Sequence, residues 1–122
     1  LREFDNLDRQ TSISYYGYVD GELQLVNRKD LGYAIMENVY DENGLWLGSN
    51  YLDAEGRPVV NSEQGYATLQ CTYDENGQRI SELFLDADNN PVNARNGRAK
   101  WEWEYGPAGN LVNTTGHYAA DL

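Results

Sequence analysis

The chain is poor in the residues from which most catalytic and metal sites are built, with one histidine and one cysteine in 122 residues. The single cysteine, Cys71, excludes an internal disulfide. Nine basic residues stand against twenty acidic ones, and the net charge of −11 argues against nucleic acid or an anionic membrane as partner, since both need a basic surface. No apolar run approaches the roughly 18 residues of a membrane-spanning helix, so we expect no membrane insertion.

The chain also has only three prolines, whereas glycine and tyrosine are abundant, with twelve and ten residues. This composition favours short β-strands joined by tight turns. The length is that of one domain, so we predict a single repeat domain over residues 1–122.

What the chain does have is an internal repeat. Tyr40–Gly44 returns as Tyr73–Gly77, and Gly32–Ala34 returns as Gly65–Ala67, with the same offset of thirty-three positions in both cases. Self-similarity at such a period predicts a repeat array, and we expect this chain to be part of a longer one. The predicted units are a degenerate copy at about 11–39, copies at about 40–72 and 73–104, and a truncated copy at 105–122. In the degenerate copy we align Tyr18 with Tyr51, Val19 with Leu52 and Asp20 with Asp53.

Strict alternation predicts a half-buried strand in each unit, at residues 34–40, 67–73 and 99–105. Ala67, Leu69, Cys71 and Tyr73 are assigned to the core face. A second strand is predicted at 45–52 and 78–85, although its alternation is less regular. The Pro-Val pairs at 58–59 and 91–92 predict a brief extended segment, because proline removes a ladder donor. The fold class is therefore all-β, with tandem β-hairpins stacked into an elongated antiparallel sheet or a solenoid-like array.

The turns between these strands have a recurring chemistry. An aspartate can accept backbone hydrogen bonds at the start of a turn, and a glycine three residues later can adopt positive φ. The turn residues predicted in this way are Asp41, Gly44, Asp53, Gly56, Asp74, Gly77, Asp86 and Gly109.

Tyr-Asp-x-x-Gly, with aromatic-x-Asp-x-x-Gly twelve residues later, resembles the YD (Rhs-type) repeats. The resemblance covers residues 16–118. The chain departs from the family in its longer repeat period, caused by the Pro-Val and Gly-Tyr-Ala segments, and in lacking the Rhs core signature. The resemblance implies β-hairpins winding into an array on a bacterial cell surface, and it implies neither a shell, a toxin nor a protease.

Candidate chemistry is sparse. We interpret Cys71 as a packed thiol and His117 as an ordinary strand residue corresponding to Leu85. Asp86, Asp88 and Asn90 match the opening of a calcium loop, but proline and glycine stand where such a loop needs glycine and glutamate. A calcium ion and an asparagine-rich turn are the two alternatives there, and no cofactor is predicted.

The aromatic residues are the remaining candidates for binding. Trp46, Trp101 and Trp103 have side chains able to stack on sugar rings. Trp101 and Trp103 share the parity of the core face, whereas the column of Trp46 also holds Arg79 and Leu111, so we expect Trp46 to be the most exposed. Tyr40, Tyr73 and Tyr105 share one column and are predicted to form a stacked spine.

These patterns favour a non-catalytic β-repeat module of a larger extracellular or cell-surface protein, acting in adhesion, cell-wall association or spacing. Its partner would be a protein or a glycan. The alternative is an accessory or catalytic fragment of a carbohydrate-active enzyme, for which a cleft gathering two carboxylates or His117 would be the mark. A stalk without any ligand is the third possibility.

Overall fold

A computed structural model describes residues 1–5 and 9–122, and it is all-β. Within these residues the only helix is a single 3-10 turn at Ala119–Asp121, so no described helix has the length or apolarity to cross a membrane. The strands are β1 (Arg2–Phe4), β2 (Gln10–Ser14), β3 (Tyr16–Val19), β4 (Glu22–Leu25), β5 (Ile35–Tyr40), β6 (Trp46–Leu52), β7 (Thr68–Tyr73), β8 (Arg79–Leu85), β9 (Lys100–Tyr105) and β10 (Leu111–His117).

Eight of the strands form one antiparallel sheet in the order β1-β2-β5-β6-β7-β8-β9-β10, while β3 and β4 form a separate two-stranded hairpin. Every neighbour in the large sheet is antiparallel. The predicted all-β fold of hairpins in an elongated antiparallel sheet is confirmed.

The burial of the side chains in β7 follows the alternation predicted from the sequence. Leu69 and Cys71 are buried on one face, whereas Gln70 and Thr72 are exposed on the other. The second strand of each hairpin alternates less regularly because a bulge interrupts it. Tyr73 pairs with Arg79 and Thr72 with Ser81, which leaves an extra residue between the two pairs and shifts the parity of β8. The same irregularity leaves Leu47 as the extra residue of β6, opposite Tyr40, and Val112 as that of β10, opposite Tyr105.

Loops after β6 and β8 form a second layer beside the sheet. Pro58 makes an isolated bridge with Leu52, and Pro91 makes one with Leu85, in agreement with the brief extended segments expected at these prolines. Each of these loops also bonds through the backbone to the loop that precedes it in the chain. Ser62 N donates to the carbonyl of Leu31, in the loop before β5, at 2.9 Å, and Arg95 N donates to Gln64 O at 2.8 Å. The two donors, like the two acceptors, are one repeat period apart.

The core lies between the central strands and this loop layer. Its buried side chains are Tyr66, Leu69, Cys71, Phe84 and Ala94. Burying a side chain such as Phe84 or Leu69 contributes about 2 kcal/mol to folding. Ala34, Ala67 and Ala99 are fully inaccessible, and each follows the loop that enters its strand.

The alignment of the first unit is wrong by three residues. Tyr15, not Tyr18, makes the contacts of Tyr51: Tyr15 N donates to Ala34 O, as Tyr51 N does to Ala67 O, both at 2.8 Å. Val26 N donates to Tyr15 O, just as Val59 N donates to Tyr51 O. Eleven positions separate Tyr15 from Val26, against eight between Tyr51 and Val59, so the β3–β4 hairpin is an insertion.

The inserted hairpin therefore includes Tyr18, Val19 and Asp20. These residues do not correspond to Tyr51, Leu52 and Asp53, with which the sequence aligned them. Tyr18 is 79% exposed. The insertion escaped the alignment because its own Tyr-Val-Asp resembles the Tyr-Leu-Asp of the next unit.

Candidate binding surface

The core face carries aromatic and basic side chains at the end of the sheet where the Asp-Glu-Asn-Gly turns lie. We call Tyr40, Trp46, Tyr73, Arg79 and Tyr105 the aromatic strip. Its tyrosines connect neighbouring hairpins, since the hydroxyl of Tyr105 donates to the backbone carbonyl of Arg79 at 2.7 Å and that of Tyr73 to the carbonyl of Trp46 at 2.5 Å. The Tyr40 hydroxyl similarly reaches Gln10 O at 3.1 Å.

The predicted stacked spine of Tyr40, Tyr73 and Tyr105 is therefore wrong in its chemistry. These tyrosines act through their hydroxyl groups, because each lies beside the carbonyl of a neighbouring hairpin. The residues whose rings do contact one another form what we call the ring row, at centroid distances of 4.6–5.9 Å: Tyr15, Tyr33, Tyr51, Tyr66 and Phe84.

Sequence reasoning missed the ring row, although a signal was present. Tyr33 and Tyr66 are one repeat period apart, and so are Tyr51 and Phe84. The row alternates loop residues with strand residues, and burial raises the pKa of Tyr66 far above its ordinary value. The ring row is a structural feature of the core, whereas all residues of the aromatic strip are half-buried.

Trp46 is half-buried rather than openly exposed as expected. Its indole Nε1 donates to Asn38 Oδ1 at 3.2 Å, and the guanidinium of Arg79 lies 5.0 Å from its ring centroid. Arg79 also bonds to Glu82 at 2.8 Å and to the Tyr73 hydroxyl at 3.3 Å. Sequence reasoning missed this cation–π pair, although Trp46 and Arg79 occupy the same repeat column.

Trp101 and Trp103 lie half-buried on the core face of β9, as their parity predicted. Trp101 pairs across the sheet with Gly116, and its ring covers that glycine so closely that an added Cβ would lie 2.9 Å from it. Gly116 occupies the repeat column of Phe84, so the large tryptophan fills the volume of the missing aromatic ring. Trp101 also packs against the buried core cluster, whereas Trp103 lines an open depression.

The aspartates of the turns act in one common way. Asp41 Oδ1 accepts hydrogen bonds from Asn43 N and Leu45 N, and Asp74, Asp53 and Asp86 do the same in their own turns. Gly44, Gly56, Gly77 and Gly109 have φ between +79° and +86°, and Asn89 takes the same role with φ of +67°.

The turn accounts for Asp86 without a metal ion. Its Oδ1 accepts from the backbone amides of Asp88 and Asn90 at 2.9 and 3.0 Å, which makes it equivalent to Asp53. No group of three or more potential metal-binding His, Cys, Asp or Glu side chains occurs in the described ranges 1–5 and 9–122.

Cys71 and His117 have local structural partners. Cys71 is buried, and this burial raises the pKa of its thiol to about 11, so it is protonated and poorly nucleophilic at neutral pH. His117 ends β10, and its carbonyl accepts from Ala99 N as that of Leu85 accepts from Ala67 N. Its Nε2 lies 2.6 Å from Glu102 Oε1 at the surface.

The His117–Glu102 pair lies in a shallow, open depression of about 480 Å³. The depression is also lined by two further charged residues, Lys100 and Glu104, and by Trp103. It gathers two carboxylates and the histidine, which is the arrangement expected of the enzymatic alternative, but the site is open to solvent.

No protein-family model matches this chain, and no curated protein resembles it significantly.

Proposed function

We propose that this chain is a non-catalytic β-repeat module of a larger extracellular or cell-surface protein, and that it serves adhesion, cell-wall association or spacing. The observation that carries the proposal is the recurrence of one set of contacts between hairpins. Tyr51 N donates to Ala67 O and Phe84 N to Ala99 O, while the Tyr73 and Tyr105 hydroxyls bond to the carbonyls of Trp46 and Arg79. Both series recur at the spacing of the sequence repeat. Thirty-three positions separate Tyr51 from Phe84 and Trp46 from Arg79, and thirty-two separate Ala67 from Ala99 and Tyr73 from Tyr105, because the third copy is one residue closer.

The recurrence favours a structural role, because the acidic residues that could serve in an active site already have a structural role in each unit. The aspartates Asp41, Asp53, Asp74 and Asp86 are engaged by backbone amides in their turns. Catalysis needs a unique constellation with groups oriented toward a reacting atom. Side chains that recur in successive units and already serve a turn or a core are better explained by the architecture.

We further propose that the chain is a long-period variant of the YD (Rhs-type) repeats. Each residue of the Tyr-Asp-x-x-Gly motif has a physical role here. Tyr73 bonds to the neighbouring hairpin, Asp74 closes the turn through two backbone amides, and Gly77 adopts a φ of +79°. The motif thus connects neighbouring hairpins. The resemblance is therefore supported by the structural roles of these residues as well as by the sequence match.

The aromatic strip and Trp103 are the surface we propose for a glycan ligand. A glycan array should report binding that is lost in Trp46→Ala or Trp103→Ala. Leu111→Ala is the matched control, because Leu111 occupies the repeat column of Trp46 and is itself 53% exposed. Thermal unfolding of each variant checks that the fold persists. A folded chain that binds no glycan would contradict this ligand class and leave a protein partner or a spacer.

The second candidate, a fragment of a carbohydrate-active enzyme, is favoured by the depression containing His117 and Glu102. Two carboxylates flanking a glycosidic bond are the usual hydrolytic arrangement. Glycan hydrolysis by the chain, abolished in Glu102→Gln and in Glu104→Gln but retained in Glu82→Gln, would establish this candidate and overturn the non-catalytic proposal.

A further inference from the structure

We propose that the outer edge of β10 is a binding site for a β-strand of the same pattern as residues 97–110, supplied by another polypeptide segment. The inference rests on the proposed repeat-module function. β10 is the last strand of the eight-stranded sheet and pairs with β9 alone, so its outward backbone groups have no strand partner within the described ranges. An unpaired edge is a template for strand addition.

The inner side of β10 is built like those of β6 and β8. The carbonyls of Leu52, Leu85 and His117 accept from the amides of Ala34, Ala67 and Ala99 at 2.8–2.9 Å. β10 therefore has the same position in its hairpin as two strands that each carry a further strand on their outer side. These two strands show which contacts an added strand would make.

Two outward contacts recur at β6 and β8, and the residues that the structure describes provide no counterpart of them at β10. The amides of Tyr51 and Phe84 donate to alanine carbonyls of the following strand, and the third amide in this series is that of Gly116. The carbonyls of Trp46 and Arg79 accept from tyrosine hydroxyls of that strand, and the third carbonyl is that of Leu111.

The first two residues of β10 are apolar and exposed. Leu111 and Val112 are 53% and 58% exposed. The residues equivalent to Val112 in β6 and β8 are Leu47 and Ile80, and both are half-buried where a strand follows. An added strand would bury the corresponding surface of β10.

The occupant must supply an alanine followed six residues later by tyrosine, with alternating apolar residues between. Residues 97–110 contain this pattern in Ala99, Trp101, Trp103 and Tyr105. The segment has two basic and two acidic side chains, so the charge of −11 on the chain does not repel it. The inferred register pairs its Trp101 with Thr114, as Leu69 pairs with Ser49.

The test is the binding of a fluorescently labelled synthetic peptide of residues 97–110 to the full chain, measured by anisotropy. We expect saturable binding by this peptide and none by a scrambled peptide of the same composition. A peptide with Tyr105→Phe lacks the hydroxyl for the Leu111 carbonyl and should bind roughly fivefold more weakly. Hydrogen exchange at the Thr114 and Gly116 amides should slow when the peptide is added.

The edge itself is tested by Thr114→Pro, which removes an outward amide while the inward ladder to β9 stays intact. This variant should lose peptide binding, whereas Thr114→Val, which keeps the amide, should retain it. If Thr114→Pro does not fold, the hydrogen exchange of the Thr114 and Gly116 amides in the unsubstituted chain tests the proposal instead. Absence of saturable binding, unchanged exchange at Gly116, or a dimer of the chain that excludes the peptide would overturn the proposal. A chain that binds glycan but not the peptide would lose only this inference.

Discussion

The inserted hairpin β3–β4 and the central hairpins β5–β6 and β7–β8 use the same kind of antiparallel pairing but differ in burial. β3–β4 closes through Asp20 and Gly21, whose φ values of +53° and +83° form a two-residue turn suited to strand twist. Within the described parts of the chain the hairpin pairs with no other strand, and Tyr18 and Leu23 are 79% and 59% exposed. Strand pairing alone therefore buries few side chains. The central hairpins have a buried core because the loops and the ring row pack against them.

The largest loss of stability in the central hairpins is expected from a substitution at Gly48, where β6 approaches β7. Its φ is +138°, and a Cβ would lie 1.8 Å from the carbonyl oxygen of Leu69. Because backbone atoms cannot move away as a flexible side chain would, we expect Gly48→Ala to cost more than about 4 kcal/mol. Chemical denaturation followed by circular dichroism measures the loss.

The matched control lies in the inserted hairpin. Gly21 also has positive φ, but a Cβ there would meet nothing within 4 Å. Gly21→Ala should cost about 1 kcal/mol locally and change the global transition little. Equal losses in the two variants would show that the approach of β6 to β7 is looser than described.

The ring row offers the next comparison, because it runs from Tyr15, just before the inserted hairpin, to Phe84 in β8. Phe84 is 5% exposed and belongs to the core cluster, so Phe84→Ala should cost about 3–4 kcal/mol in free energy of unfolding. Tyr15 is half-buried at the other end of the row, and Tyr15→Ala should cost about 1–2 kcal/mol. Urea unfolding of both variants measures the difference.

Tyr18→Ala is the control that separates the two alignments of the first unit. Tyr18 is exposed in the inserted hairpin, so its loss should change stability by less than about 0.5 kcal/mol. A larger effect from Tyr18→Ala than from Tyr15→Ala would restore the alignment predicted from the sequence and contradict the insertion.

The sequence predicted the strands of the central hairpins well because their alternation and turn residues are local properties. β5, β7 and β9 begin within one residue of their predicted starts and end where expected. The inserted hairpin was missed because a degenerate unit has no glycine-turn motif to fix the register. Its Tyr-Val-Asp therefore aligned by resemblance alone.

The candidate surface was less predictable because its contacts join different hairpins. The Tyr73 hydroxyl bonds to the carbonyl of Trp46 in the preceding hairpin, and Arg79 covers Trp46 from the following one. Parity indicates which face a side chain lies on, but it does not indicate which neighbour will cover it. The exposure of Trp46 was therefore overestimated.

A smaller effect is expected at the turn of β7–β8. Gly77 has a φ of +79° with open space around it, so Gly77→Val strains the backbone without a collision. We expect a cost of about 1 kcal/mol or slightly more, because β-branched residues resist positive φ. Thr72→Ser keeps the hydroxyl that bonds to Ser81 and should cost far less. Equal melting temperatures for the two variants would contradict the importance of the turn.

The smallest effect concerns the aspartate turn at Asp53, which follows β6 and has no counterpart in the β3–β4 turn. Backbone hydrogen bonds from Arg57 and then Glu55 lower the pKa of Asp53 from its ordinary value. As pH falls, Asp53 is therefore protonated in the unfolded chain before it is protonated in the folded one. The stabilisation by the Asp53 carboxylate is fully present above the ordinary pKa of 3.8 and is lost as pH falls through the lower pKa of the folded state. Asp53→Asn keeps the Oδ1 acceptor but not the charge. Urea unfolding between about pH 5 and pH 2 should show a shallower acid-induced loss of stability in this variant, and identical slopes would contradict the assignment.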